Sequence, residues 1–104
     1  MSNLSGADAV NETIMTLHPD STKVGVNMSR ATYDLVRQTI LEVMQERGEV
    51  TFRELFDNVI ARLSGNFEGA VGWYATTVKL DMEARGEIVR VAGDQGAPQR
   101  LKLA

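Results

Sequence analysis

Residues 70–91 read Ala70-Val71-Gly72-Trp73-Tyr74-Ala75-Thr76-Thr77-Val78-Lys79-Leu80-Asp81-Met82-Glu83-Ala84-Arg85-Gly86-Glu87-Ile88-Val89-Arg90-Val91. On a helical wheel, Val71, Tyr74, Ala75, Val78 and Met82 fall together and mark a core face. Gly86 follows at the position where a left-handed residue ends a helix. Glu87 to Val91 then alternates as a strand. A helix of about residues 70–85 that passes directly into a strand is therefore expected.

On the C-terminal side, Ala92 to Pro98 turns the chain and Gln99 to Leu103 alternates again, with Leu101 and Leu103 aligned. Two strands joined by a loop holding Gly93-Asp94-Gln95-Gly96 predict a β-hairpin.

On the N-terminal side, Thr51 and Glu54 have capping-box spacing, flanked by Val50 and Leu55 as a hydrophobic staple. Phe52, Leu55, Phe56, Val59, Ile60 and Leu63 then follow with helical period. Residues 64–69 read as a turn into the third helix. Before these, Ser29 is placed to cap a helix of about residues 30–47, with the apolar stripe Tyr33, Val36, Ile40, Val43 and Met44, closed by Gly48. Further upstream, Val10, Ile14 and Leu17 recur at i, i+4, i+7 and predict a short helix ending at His18, because Pro19 disfavours helix at the residue before it. Lys23 to Met28 alternates and predicts a strand that could join the hairpin. Residues 1–6 read as a solvated tail, and residues 7–104 as one domain with an N-terminal extension over 7–28.

The order helix, helix, helix, β-hairpin resembles the winged helix-turn-helix superfamily over about residues 29–104. The run from Leu80 to Arg90 carries the likeness: an apolar residue on the last helical turn, polar residues, a glycine stop, then an apolar residue opening the wing. The segment from Trp73 to Gly86 also resembles a signature of a small bacterial family of uncharacterised proteins. The fold class implied is α+β: a three-helix core with a C-terminal hairpin wing, plus a short N-terminal helix and strand. The resemblance implies a fold and no activity.

Charge and composition narrow the function classes. With 104 residues the chain can hold one hydrophobic core, and zero Cys removes disulfides and thiolate chemistry. A cytoplasmic setting is the expectation, and no apolar run is long enough for a membrane span. The net charge is −3, whereas many nucleic-acid-binding domains are basic. The single histidine, His18, and the glycines Gly65, Gly69 and Gly72 lack the spacing of a metal site or a phosphate loop. No nucleophile–base constellation appears, so neither an enzyme nor a cofactor is expected.

Two readings remain. In winged helices that bind DNA, the third helix enters the major groove and the wing touches the backbone. On that reading Thr76, Thr77 and Lys79 would meet the groove, with Arg90, Arg100 and Lys102 on the wing. Arg90 and Lys102 are out of phase with the apolar wing residues and are expected to face solvent. Against it, the outer face also carries Trp73, Leu80 and Ala84 as an apolar strip, and Asp81 and Glu83 would repel phosphate. Such a strip calls for a cover: the N-terminal helix, a second copy of the chain, or another protein. The second reading is an interaction or dimerisation module that never meets DNA.

Overall fold

The computed structural model describes residues 12–65, 70–92 and 96–104. Within them the chain is α+β, with three helices and two small antiparallel sheets. Strands β1 (Thr13–Met15) and β2 (Asn27–Ser29) pair as a hairpin. Helix α1 (Arg30–Arg47) follows, then β3 (Val50–Thr51), α2 (Phe52–Leu63), α3 (Val71–Ala84), β4 (Ile88–Val91) and β5 (Arg100–Leu103).

The helix boundaries follow from local chemistry. The Ser29 hydroxyl accepts the Thr32 N–H at 3.4 Å, and Gly48 N–H closes α1 on the Met44 carbonyl at 2.8 Å. Both halves of the capping box form: Glu54 N–H donates to Thr51 Oγ1 and Thr51 N–H to the Glu54 carboxylate. These bonds satisfy donors that the first turn of α2 leaves without intrahelical partners. At the end of α3, Glu87 N–H reaches back to the Met82 carbonyl at 2.8 Å. That closure needs a residue with φ near +80°, which Gly86 supplies at low steric cost.

Each helix contributes residues of its expected stripe to one core, although in α2 Phe52 is exposed and Phe56 and Ile60 are half-buried. Tyr33, Val36, Ile40, Val43 and Met44 come from α1, Leu55, Val59 and Leu63 from α2, and Ala75, Val78 and Met82 from α3. Val50, Ile88 and Leu101 close the core from the three-stranded sheet, whose order is β3-β5-β4.

The N-terminal region departs from expectation. Val10 lies outside the described residues, as do the tail over 1–6, most of the turn into α3, and part of the hairpin tip. Ile14, however, sits in strand β1, and Leu17 lies in no helix and is exposed. Ile14 and Leu17 therefore fall in a strand and a loop: Ile14 pairs opposite Met28, and Leu17 is left exposed. The strand expected over Lys23–Met28 shrinks to Asn27–Ser29, and Val24 is highly exposed. It pairs with β1 and not with the wing. The third strand of the wing sheet is instead β3, formed by Val50 and Thr51 against Leu101 and Arg100. The hairpin is fastened internally by Thr16, which is buried: its hydroxyl donates to the Val26 carbonyl and accepts the Val26 N–H.

No helix among the described residues is long and apolar enough to cross a membrane.

Candidate functional site

The outer face of α3 and the adjoining wing hold the residues singled out by sequence. Trp73 is 48% exposed and rests edge-on against Tyr74, with ring centroids 5.0 Å apart. Thr76, Thr77, Leu80 and Ala84 are half-buried. The apolar strip is therefore unevenly covered, open at Trp73 and partly closed toward Leu80.

Among the described residues, the segment that faces the Leu80 side is a loop. His18, Pro19 and Asp20 form a cleft of about 530 Å³ with Leu80, Glu83 and the first residues of β4. This loop keeps its shape through Asp20, whose carboxylate accepts the Thr22 N–H at 2.9 Å and the Thr22 hydroxyl at 2.7 Å. Those hydrogen bonds hold the Asp20 carboxyl below its ordinary pKa. Asp20 N–H in turn donates to His18 Nδ1 at 3.0 Å.

Three of the four cations assigned to phosphate have other partners. Lys79 is buried, with its ammonium 2.6 Å from Glu83 Oε2 and 4.7 Å from the centroid of the Phe52 ring. The Arg90 guanidinium takes the other oxygen of the same carboxylate at 2.5 Å. Burial works against ionising Glu83, but hydrogen bonds from Arg90 and Lys79 outweigh it and hold the carboxyl below its ordinary pKa. The strand register explains the Arg90 contact. Arg90 lies opposite Leu101, and Ile88 opposite Leu103, so Arg90 shares the face of Ile88 and Leu101 that turns toward the helices. Arg90 is exposed, as expected, but it reaches Glu83 from the sheet face that turns toward the helices. Val89 and Val91 instead share the outer face with Lys102 and Arg100. Arg100 stands 3.9 Å from Glu54, and Lys102 is exposed with no ion pair among the described residues.

A second polar centre has no counterpart in the sequence reading. Asp81, expected near phosphate, is fully buried. Its carboxylate accepts hydrogen bonds from the Tyr33 hydroxyl, from Arg85 Nε at 2.9 Å and from the Leu17 main-chain N–H at 2.8 Å. The signal was present in its phase. Three residues beyond Val78 on a 100° wheel, Asp81 falls about 60° from that core residue, on the side of Tyr74. Nearby, Arg37 makes a two-pronged ion pair with Glu87, at 3.1 and 3.0 Å.

No group of three or more potential metal-ligating side chains occurs among the described residues. The model of DUF6958, a family of unknown function, matches residues 13–101, and the chain belongs to that family. No curated protein and no solved structure matches it.

Proposed function

We propose that this member of DUF6958 is a winged-helix protein-interaction module that meets a protein partner through the outer face of α3 around Trp73. The winged-helix reading is supported by three helices that share a core, the glycine closure after α3, and the hairpin that follows it directly. The interaction reading is carried by one observation: Lys79 and Arg90 both close on Glu83. Affinity for duplex DNA comes largely from free cations that replace counterions on phosphate. A cation already neutralised by a carboxylate has little left to contribute. Trp73 remains as a large exposed aromatic, the type of side chain that dominates protein–protein contacts once buried. No enzymatic role is proposed.

DNA binding is the second reading, supported by the exposed Arg100 and Lys102 on the outer sheet face and by Thr76 and Thr77 on α3. Binding to a generic duplex across a salt series separates the two. The interaction module should give no shift even at low salt, together with self-association or partner binding that Trp73→Ala or Leu80→Asp weakens. Micromolar binding that collapses as salt is added would overturn it.

A further inference from the structure

A second cleft, of about 420 Å³, lies where the start of α2, the side of α3 and the wing converge. Its apolar walls are Phe52, Pro98 and Leu101, and every charged side chain lining it is a cation: Arg53, Lys79 and Arg90. This is notable in a chain of net charge −3. Of the other clefts, the one beside Leu80 mixes Asp20 and Glu83 with Arg90, and one beside Tyr33 mixes Asp34 and Glu87 with three arginines.

The three cations are not equally committed. Lys79 and Arg90 share Glu83, and a second Arg90 nitrogen lies 3.4 Å from the side-chain oxygen of Gln99. Arg53 has 86% of its side chain exposed and pairs with Asp57, which is itself largely exposed. An exposed i, i+4 pair contributes little and is readily exchanged for another carboxylate. Arg90 also keeps donors beyond those used, since a guanidinium carries five. Phe52 is a large apolar ring left partly open to solvent beside these groups.

We propose that this cleft binds an acidic, apolar peptide segment of a partner protein. An aromatic or aliphatic side chain would lie on Phe52, Pro98 and Leu101, and a neighbouring carboxylate would take Arg53, whose pairing with the exposed Asp57 is readily exchanged. The inference deepens the interaction-module reading and rests on it. A nucleic acid fits less well. The cleft is concave, mostly apolar and sized for one or two side chains, whereas a duplex needs a row of uncommitted cations along its phosphates.

The test uses a phage-displayed library of random nonapeptides selected on the full chain, with counterselection on the Arg53→Glu variant. Peptides that carry Asp or Glu beside Phe, Trp or Leu should be enriched. Their affinity should fall about tenfold in Arg53→Glu and by a similar factor when their acids become amides, the worth of one charge-assisted hydrogen bond. Arg53 is exposed, so an unchanged melting temperature would show that the variant folds. Enrichment of basic or uncharged peptides, enrichment indifferent to Arg53, or no enrichment would each overturn the inference. If Trp73-dependent association persisted in those cases, the interaction reading would survive. Displacement of the selected peptides by duplex DNA with a steep salt dependence would overturn both.

Discussion

The main-chain N–H of Leu17 donates to Asp81 Oδ1 at 2.8 Å, across 64 positions of sequence, and fastens the N-terminal hairpin to α3. The same carboxylate is held by Tyr33 from α1 and by Arg85 one turn away on α3. A buried carboxylate is tolerated because its oxygens are satisfied. Its removal leaves the Tyr33 hydroxyl, the Arg85 guanidinium and a main-chain donor without their acceptor. Asp81→Ala should therefore lower stability by about 3 kcal/mol. It should also speed amide hydrogen exchange at Leu17 ahead of global unfolding. Urea titration and residue-resolved exchange would check both, and unchanged protection at Leu17 would refute the fastening role.

Tyr33 predicts a specific loss at high pH. Burial, then the hydrogen bond and charge of Asp81, push its hydroxyl up to about 12 from an ordinary 10.0. The unfolded chain thus gives up this proton before the folded one. The contribution is fully present below pH 10 and is lost as pH rises toward 12. Urea midpoints measured from pH 8 to 11.5 should fall more steeply for the natural chain than for Tyr33→Phe. Parallel curves would contradict the assignment.

Glu83 sets the charge of the outer face. Glu83→Gln removes the carboxylate that Lys79 and Arg90 share, and releases both cations. Duplex binding should become detectable at low salt, with the slope of log K against log salt steepening by roughly 0.9 for each cation freed. A gel-shift series in natural and variant chains measures it. Equal affinity in the two would mean that Glu83 does not govern this surface.

Gly25 packs where a side chain cannot. A Cβ there would fall 1.8 Å from the Thr16 carbonyl oxygen. Gly25→Ala should force the loop off Thr16 and cost about 1–3 kcal/mol, with chemical-shift changes confined at first to β1, β2 and the intervening loop. A variant as stable as the parent would show that this contact yields easily.

The capping box offers a local control. Thr51→Ala removes the acceptor for Glu54 N–H and should cost about 1 kcal/mol, read as a lower thermal midpoint.

Helix boundaries and core faces were legible because they depend on neighbours within a turn. Ser29, Thr51, Glu54 and Gly86 act on main-chain groups three to five residues away, and Val78 and Met82 repeat with the helix itself. The N-terminal extension was not legible, since Thr13–Met15 becomes a strand only by pairing with Asn27–Ser29. Three widely spaced apolar residues are too few for their helical spacing to exclude a strand until that partner is known.

The site divides in the same way. Sequence alone determined which residues α3 carries, that Trp73 and Val78 lie on different sides, and that the chain is acidic overall. Tertiary structure decided what each charge meets: Glu83 captures both Lys79 and Arg90, Asp81 turns inward to Tyr33 and Leu17, and Arg53 is left beside an apolar cleft. The reason is range. Periodicity reports how one element is divided between water and core, whereas an ion pair or a buried hydrogen bond depends on which distant element the fold brings within about 3 Å.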